Sequence, residues 1–424
     1  MKFYIYTLGC KVNTYESNVI RDNLINNGYI ESNKKDDSDI YIINTCTVTN
    51  TSDNKSLKLI RQVIRNNKDA IIVVMGCMTQ VNYSLLGDLD VSIIIGNKYK
   101  GKVVEFIEEY KKNKKKIIKV DNIMEASFEE MCLNNFNKTR AFVKIEDGCE
   151  NYCTYCIIPY ARGKVRSKDP KLVIKEINNL INSGHKEIVL TGIHTGHYGS
   201  DLEDYNFSDL LNELVNIKGL ERLRISSIEI TELNNEVLSV FKNNKILVDH
   251  IHVPLQSGSN TILKLMNRKY DKEYFINKIN EIRRIRPNIS ITTDVIVGFP
   301  GETEELFNET VDTIKKIRFS KIHVFPFSLR KGTKAEELPN HLDNSIKKER
   351  VRKLIDLSKE LEIEYMNNFI GENIIFIPEM YKEGYLIGHT GNYLQIKYKG
   401  NINLLNQDVE VKLDKVEYPY IIGK

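Results

Sequence analysis

Apolar runs alternate with amphipathic segments through the first part of the chain. The runs KFYIYTLG, DIYIINT, AIIVVMG and VSIIIG are short and rich in Ile, Val and Tyr, and residues 16–27 and 54–66 between them have helical spacing. Short apolar strands that alternate with helices predict a parallel sheet with helices on its faces. The pattern therefore predicts an N-terminal α/β domain, which we assign to residues 1–118.

A second, longer alternation follows in the middle of the chain. The runs AFVKIE, EIVLTG, RLRISS, DHIHVP, SITTDVIVG and KIHVFPF are separated by helical segments such as residues 170–182, 302–317 and 346–366. Six βα units predict a partial (βα)6 barrel, which we assign to residues 135–367, with its chemistry at the carboxyl ends of the strands. Residues 108–119, EEYKKNKKKIIK, are expected to form a helix end and a solvated connector.

The last part of the chain changes to short alternating strands. The runs IIFIPEM, YLIGHT, YLQIKY and VEVKL have the period of two that half-buried strands show. They predict a small all-β barrel or sheet at residues 370–424.

Charge and composition narrow the class of protein. The 424 residues carry a net charge of +4, which permits a polyanionic partner without requiring one. Seven cysteines are an odd number and follow no secretory pattern, so we expect a cytoplasmic protein without a disulfide framework. No apolar run reaches the roughly 18–20 residues of a membrane span. We therefore expect no membrane partner.

Three cysteines each follow one of the first three predicted strands. These are Cys10, Cys46 and Cys77. Ligands of open parallel sheets bind at the edge formed by the carboxyl ends of the strands, so these cysteines are expected to meet in one site. The alternative is three buried structural cysteines, because free cysteine is commonly buried.

Three further cysteines lie in one short loop, GCENYCTYC, at Cys149, Cys153 and Cys156. In a [4Fe–4S] cluster each iron needs one outer ligand, so three thiolates leave one iron open to a small molecule. The C-x3-C-x2-C spacing is typical of the radical S-adenosylmethionine (SAM) family. A zinc site with His194 or His197 as the fourth ligand is the alternative.

The cysteine motifs carry a resemblance to a known family. TLGCKVNTYES, NTCTVT, MGCMTQ and DGCENYCTYCIIPYARGKVRS resemble the methylthiotransferases, and GHTGNYLQIKY resembles the signature of their C-terminal TRAM domain. The resemblance covers essentially the whole chain and implies two [4Fe–4S] clusters, an auxiliary one on Cys10, Cys46 and Cys77 and a second on the loop cysteines. It also implies that SAM supplies both a methyl group and the radical that removes hydrogen from the substrate. Cys132 matches no motif and is expected to be a spare thiol.

The first cysteine motif also implies a substrate. TLGCKVNTYES resembles the branch that acts on N6-threonylcarbamoyladenosine (t6A) beside the tRNA anticodon. The isopentenyladenosine branch tends to read Y-G-C-Q-M-N, and the branch acting on a ribosomal protein aspartate tends to read L-G-C-x-K-N; these are the alternatives. The implied reaction converts t6A at position 37 to its 2-methylthio derivative. The implied partners are a tRNA anticodon stem-loop, a low-potential electron donor and a sulfur donor.

Further residues are candidates for the SAM pocket because they follow predicted strands or lie in the cysteine loop. They are Tyr155, Thr191, Gly192, Ser226, Ser227, Glu229, Gln256, Ser257, Arg268 and Gly298. Ordinary turns, strand ends, a helix N-terminus or a surface ion pair would explain several of them equally well. His194, His197, His250 and His252 are candidate proton carriers, but nothing in the sequence selects one as the base. In the tail, Tyr393, Lys397 and Lys399 are expected to lie on the surface of strands and to combine aromatic and basic character suited to an RNA loop.

Overall fold

The computed structural model describes residues 1–35 and 37–424. The first domain consists of β1 (Lys2–Thr7), α1 (Lys11–Asn26), β2 (Ile30–Glu31), β3 (Ile40–Thr45), α2 (Asn50–Asn66), β4 (Ile71–Gly76), α3 (Cys77–Asn82), β5 (Ile93–Ile95), α4 (Val103–Asn113) and β6 (Ile117–Lys119). The six strands form one sheet in the order β2-β1-β3-β4-β5-β6, and every pair is parallel. Strands β3 and β4 are buried along their whole length, as expected for central strands covered on both faces.

The stretch expected to be a solvated connector contains a strand. Residues 117–119 form β6, which pairs with β5, and Ile117 is buried at this edge of the sheet. The strand was missed because only three residues pair and the lysines before them give the segment a polar character. The connector interpretation is therefore wrong for the end of this segment and holds for the turn after α4.

The central domain follows. Its elements are β7 (Arg140–Lys144), β8 (Glu146–Asp147), α5 (Ile158–Arg162), β9 (Arg166–Ser167), α6 (Pro170–Asn182), β10 (Glu187–Thr191), α7 (Phe207–Leu214), β11 (Arg222–Ile225), α8 (Asn235–Asn243), β12 (His250–His252), α9 (Asn260–Leu265), α10 (Lys272–Ile285), β13 (Ser290–Val297), α11 (Glu304–Ile317), β14 (Lys321–Pro326) and α12 (Asn344–Asn367). Parallel ladders join β7, β10 and β11, and also β12, β13 and β14. A bridge between Leu223 and Leu247 connects the two groups. Within the described residues no ladder joins β14 to β7, so the six strands form an incomplete barrel, as predicted.

The first domain lies against both edges of this incomplete barrel. On one side, Tyr15 of α1 donates a hydrogen bond to Glu176 of α6 at 2.9 Å, and Glu16 pairs with Lys144 of β7 at 3.1 Å. On the other side, the backbone N–H of Asn50 donates to Ser328, just after β14, at 3.1 Å. The gap between β7 and β14 is thus covered by the first domain.

The C-terminal domain is a closed barrel of β15 (Asn373–Lys382), β16 (Tyr385–Thr390), β17 (Gln395–Lys399), β18 (Val409–Glu417) and β19 (Tyr420–Gly423), in the order β15-β16-β17-β19-β18. It contacts the amino-terminal ends of the central strands. Arg140 at the start of β7 pairs with Glu379 at 3.0 Å, and Lys186 just before β10 pairs with Asp408 at 2.6 Å. The C-terminal domain therefore closes the end of the central barrel opposite to the strand carboxyl ends.

These three regions confirm the predicted fold class of a parallel α/β domain, an incomplete (βα)6 barrel and a small all-β domain. None of the described helices is long and apolar enough to cross a membrane.

Candidate functional site

Cys10, Cys46 and Cys77 follow β1, β3 and β4, which are neighbours in the sheet. Two of them come directly after glycines that no other residue could replace without strain. Gly9 has φ +100°, and a Cβ there would lie 2.9 Å from Cys46 Sγ. Gly76 has φ +110°, and a Cβ there would lie 2.5 Å from the Thr45 carbonyl oxygen. These glycines allow the strand ends to approach closely enough to bring the cysteines to one edge.

The three strand-end thiols influence one another electrostatically. Burial raises the pKa of Cys10 and Cys46 above the usual value for a thiol, and the neighbouring Cys77 raises each of them further. Neutral thiols are therefore favoured in the metal-free protein, whereas a bound metal stabilises thiolates and reverses the preference.

Cys77 differs from its two partners because a buried cation donates a hydrogen bond to it. Arg162 Nε lies 3.2 Å from Cys77 Sγ, and Asn97 Nδ2 lies 3.5 Å from the same sulfur. The Arg162 side chain is fully buried, and its NH1 donates to both Glu16 at 2.7 Å and Asp147 at 3.1 Å. Arg162 comes from the central domain and Cys77 from the first, so this network joins the two domains directly beneath the trio.

The loop trio is held by the segments around it. The Cys149 N–H donates to the Gly163 carbonyl at 3.0 Å, and the Thr154 N–H donates to the Met266 carbonyl at 3.1 Å. The loop starts at Gly148, where φ is +94° and a Cβ would collide with the Lys164 backbone. Burial raises the pKa of Cys156 to about 12, with a further contribution from Cys153.

Arg268 gives the loop trio its own hydrogen-bonded cation. Its NH1 lies 3.3 Å from Cys153 Sγ, and its NH2 lies 3.2 Å from Glu229 Oε1. Asn151 Nδ2 donates to Glu229 Oε2 at 2.9 Å, which fixes the carboxylate from the other side. The Arg268 side chain is only 6% exposed, so the surface ion pair considered from the sequence is wrong. Arg268 and Glu229 are brought together beside the cysteine loop.

A cavity of about 540 Å³ lies between the two trios. Cys10 and Cys46 line it on one side and Cys156 on the other. The remaining wall is mostly apolar and includes Tyr155, Ile157, Ile158, Ile296, Phe325 and Phe327, with Gln256 and Asp294 as polar members. Both cysteine sets therefore open onto one shared space.

The spacing of the sulfurs bears on which metal the thiols could hold. Three thiolates on one zinc at about 2.3 Å would lie about 3.8 Å apart. In the described part of the chain, one group of three or more potential metal-ligating residues has all its ligand atoms within 4.8 Å of one another, namely His194, His197 and Glu232, and neither cysteine trio forms such a group. Wider spacing suits a cluster in which each thiolate binds a different iron.

The two histidines considered as a fourth zinc ligand both contact Glu232. His194 Nδ1 lies 3.8 Å from Cys149 Sγ, but its Nε2 contacts Glu232 closely and lies 3.7 Å from Glu229. His197 stacks on His194 with ring centroids 4.0 Å apart and lies 3.5 Å from Glu232. Both histidines therefore contact carboxylates beside the cysteine loop.

The other predicted SAM-pocket residues are placed less uniformly. Tyr155 and Gln256 line the cavity between the trios, and Gln256 has a left-handed φ of +65°. Thr191 and Ser226 are buried at neighbouring strand ends with their hydroxyls 3.5 Å apart. A Cβ at Gly192 would lie 2.7 Å from Glu146, a buried carboxylate that accepts a hydrogen bond from the His194 N–H.

Of the ten candidates, Tyr155 and Gln256 line the cavity, and three of the others lie elsewhere. Ser257 is buried against Thr310, with the hydroxyls 3.2 Å apart. Gly298 has φ +71° and its N–H donates to Glu302, while a Cβ there would collide with Lys347. Ser227 is half-buried after β11 and is not among the residues lining the cavity.

The histidines His250 and His252 and the tail residue Tyr393 lie deeper in the central barrel. His252 Nε2 lies 3.3 Å from Asp294 Oδ2, and His250 stacks on Tyr393 with ring centroids 4.6 Å apart. Tyr393 is in the turn after β16 and points into the central domain, so the strand-surface position expected for it is wrong. Lys397 remains on the barrel surface, with Nζ 4.4 Å from the ring centroid of Tyr385.

Sequence reasoning missed several residues of the site. Arg162 and Asn151 lie within the quoted motif DGCENYCTYCIIPYARG, so their closeness to the cysteines was the available signal. Asn97 and Asp294 gave no such signal, because only the folded chain brings them to the trios. Cys132 is exposed and outside both trios, as expected for a spare thiol.

Comparison with known families and proteins agrees with this arrangement. The description "Radical SAM superfamily" matches residues 143–314, and "Uncharacterized protein family UPF0004" matches residues 2–96. The chain is 45% identical to threonylcarbamoyladenosine tRNA methylthiotransferase MtaB of Bacillus subtilis, over 99% of this chain and 95% of the relative. It is 40% identical to the protein of the same name from Aquifex aeolicus, over 94% and 97%. It is 34% identical to tRNA-2-methylthio-N(6)-dimethylallyladenosine synthase of Bacillus velezensis, over 98% and 84%.

Solved structures share the fold at low sequence identity. The radical SAM methyltransferase TsrM from Kitasatospora setae, with cobalamin and a [4Fe–4S] cluster bound, matches with a TM-score of 0.58 at 12% identity. That match covers 91% of this chain and 80% of the other. At this identity the likeness concerns the fold alone.

Proposed function

The chain belongs to the radical SAM methylthiotransferases, and we propose that it transfers a methylthio group to carbon 2 of t6A at position 37 of tRNA. Relatives named for this nucleoside are 36–45% identical over nearly the whole chain. Relatives named for the dimethylallyl nucleoside are 33–36% identical, which makes that nucleoside the runner-up. The chain is an enzyme of tRNA modification that uses two [4Fe–4S] clusters and SAM.

The observation that carries the proposal is the shared cavity of about 540 Å³ with cysteines of both trios in its wall. Ligand pockets of proteins usually measure about 300–1,000 Å³, so a nucleobase fits this space. A substrate held there would face the sulfur source on one side and the radical source on the other. Each cysteine set supplies three of the four ligands that a [4Fe–4S] cluster needs, and the single cavity gives both open positions access to the same substrate.

The residues of the cavity have separable roles in this proposal. Cys10, Cys46 and Cys77 would hold one cluster, and the loop cysteines would hold the other together with SAM. Bound there, the clusters and SAM would supply a methylthio group and a carbon-centred radical that takes hydrogen from carbon 2. The buried apolar side chains of the wall, such as Ile157 and Phe327, would help to exclude water, which a reactive radical requires. Gln256 and Asp294 offer the polar groups that could orient the base.

Partners of the reaction follow from its chemistry. A low-potential electron donor is needed to reduce the loop cluster, and a sulfur donor is needed because each turnover consumes sulfur. The anticodon stem-loop would contact the C-terminal barrel at Tyr385, Lys397, Lys399 and Tyr420, where lysine and tyrosine side chains lie on neighbouring strands.

The test starts from the anaerobically reconstituted protein, loaded with iron and sulfide. It is incubated with SAM, dithionite and tRNA that carries t6A without the methylthio group. We expect release of 5′-deoxyadenosine and formation of 2-methylthio-t6A, measured by mass spectrometry of the digested nucleosides.

A parallel reaction contains tRNA with isopentenyladenosine as its modified nucleoside. Methylthiolation of that tRNA, with t6A left unchanged, would replace the proposal by the runner-up. If SAM yields no 5′-deoxyadenosine in either reaction, the assignment as a radical enzyme fails.

A further inference from the structure

A second cavity, of about 310 Å³, lies deeper in the central barrel than the one between the trios. Its wall includes Lys11, His250, His252, Thr292, Lys321 and His323, and Tyr393 of the C-terminal domain lines it as well. The function proposed above gives no role to this basic, histidine-rich space.

The two cavities follow one another along the same barrel strands. On β13, Asp294 and Ile296 line the upper cavity, and Ser290 and Thr292 line the lower one. The first domain shows the same succession, because Cys10 lines the upper cavity and Lys11 the lower. Alternate residues of a strand are about 7 Å apart, so the lower cavity begins one such step below the upper.

Lys11 is the cation of this wall that lacks a partner. Lys321 is paired with Glu362 at 2.9 Å, and His389 with Glu379 at 2.8 Å. Among the described residues, no carboxylate or hydrogen-bond acceptor contacts the Lys11 ammonium, although its side chain is accessible from the cavity. The other charged groups that the structure describes in this wall form ion pairs, so the accessible Lys11 ammonium is the group free to bind an anion.

The groups around Lys11 add to the positive field. The charges of Arg140 and Arg224 both act on Lys11, and both guanidiniums lie over the ring of Tyr393, at 5.1 and 4.9 Å from its centroid. Arg224 is buried, with NH1 and NH2 unpartnered, and His250 has an unpartnered buried Nδ1. Glu379 and Glu187 neutralise Arg140 and Arg224 only in part. The lower cavity is therefore short of negative charge.

We propose that Lys11 binds the carboxylate of the threonylcarbamoyl group of the substrate in this lower cavity, and so selects t6A. This inference rests on the proposed function. The group has a urea-like link and a free carboxylate, which lies about 5 Å from N6 of the base by peptide-like bond lengths. A base between the trios would thus place the carboxylate at the level of Thr292 and Lys11. A dimethylallyl group, being apolar, would fill the cavity and leave the Lys11 ammonium without a counter-ion, which disfavours it.

Because an RNA phosphate could also satisfy Lys11, the test must separate the two anions. It measures binding of anticodon stem-loops to the reconstituted protein by fluorescence anisotropy, with SAM present and no reductant, so that no turnover occurs. The stem-loops carry t6A, its carboxyl methyl ester or unmodified adenosine at position 37. The proteins are wild type, Lys11→Gln and Lys11→Arg, with Lys58→Gln on the exposed face of α2 as the matched control.

We expect the wild type to bind the t6A stem-loop about 10- to 100-fold more tightly than the ester, the range of one charge-assisted hydrogen bond. Lys11→Gln should reduce that ratio to about threefold or less, whereas Lys11→Arg and Lys58→Gln should retain it. Protein and ligand changes should not be additive, because each removes the same contact. In separate samples reduced with dithionite, the electron paramagnetic resonance signal of the clusters should be unchanged in Lys11→Gln.

Three results would overturn the inference. One is equal binding of t6A and its ester by the wild type, a test that needs no variant to fold. Another is a loss in Lys11→Gln that is the same for t6A and unmodified adenosine, which would mark a phosphate contact. The third is an unchanged ratio in Lys11→Gln. If the wild type still forms 2-methylthio-t6A, these results reject the carboxylate site alone; if it forms none, the proposed function fails with it.

Discussion

The two cysteine trios reach similar surroundings by opposite routes. Cys10, Cys46 and Cys77 come from three neighbouring strand ends far apart in sequence, whereas Cys149, Cys153 and Cys156 lie in one loop. The first trio exists only when the whole sheet has formed. The second depends mainly on a loop whose backbone is anchored at Gly148 and Thr154. The strand-end trio is therefore a product of tertiary structure and the loop trio largely one of local structure.

Each trio nevertheless has one sulfur that accepts a hydrogen bond from a buried arginine. Arg162 donates to Cys77, and Arg268 to Cys153, at 3.2 and 3.3 Å. The difference lies in the counter-ions, because Arg162 connects Glu16 of the first domain with Asp147 of the second, while Arg268 pairs with Glu229 inside one domain. The same device stabilises a domain junction in one trio and a single loop in the other.

The largest effect should come from removing one cysteine of each trio. Cys153→Ala should abolish release of 5′-deoxyadenosine, because SAM needs the loop cluster. Cys77→Ala should abolish methylthio transfer but retain cleavage of SAM, since the loop trio is intact. Chromatographic assay of 5′-deoxyadenosine and of the modified nucleoside separates the two. Cys132→Ala is the matched control and should keep both activities; identical losses in both trio variants would erase the functional difference between the trios.

Replacing the arginine beside each trio should lower the free energy of unfolding by different amounts. Arg162→Gln leaves Glu16 and Asp147 partly unpaired in a buried junction, so the free energy of unfolding should fall by about 3–5 kcal/mol. Arg268→Gln leaves Glu229 with its hydrogen bond from Asn151 and should cost less, about 1–3 kcal/mol.

Urea denaturation of the metal-free proteins, followed by circular dichroism, measures both losses. Arg21→Gln, at an accessible ion pair with Glu31, is the control and should change the free energy of unfolding by less than about 1 kcal/mol. A larger loss for Arg268→Gln than for Arg162→Gln would contradict the view that the strand-end trio depends more on tertiary contacts.

The sequence pattern was sufficient for the fold and for the cysteine positions. Isoleucine-rich runs and glycine before cysteine marked the ends of β1 and β4, because buried parallel strands are apolar throughout. The start of α1 was predicted too late, at residue 16 instead of Lys11. That helix buries Asn13, Glu16 and Asn18 as well as apolar residues, so its hydrophobic period is obscured.

The charged groups that surround the trios could not be predicted from spacing. Glu16, Lys100 and Arg162 are far apart in the chain, and each of them alone is typical of a solvated surface. They are buried because they neutralise one another, a property of the folded arrangement that no single segment carries. The position of Tyr393, which points into the central barrel, could not be predicted for the same reason.

The smallest effect concerns a carboxyl group at the edge of the strand-end network. Burial raises the pKa of Glu129 from its ordinary value of 4.5 to about 7, although it accepts a hydrogen bond from the Gly101 N–H at 2.7 Å. The folded protein holds this proton more tightly than the unfolded chain, so the stabilisation is complete below about pH 4.5 and is lost as the pH rises through about 7. Relative to Glu129→Gln, which stays neutral and keeps the acceptor, wild-type stability should therefore fall over this range by up to about 2 kcal/mol after allowance for partial exposure. Urea denaturation of both proteins at several pH values measures the difference. If the stabilities of the two proteins depend on pH in the same way, the charged network beneath the strand-end trio tolerates an ionised Glu129. Water would then reach this network more easily than the contacts of Arg162 indicate.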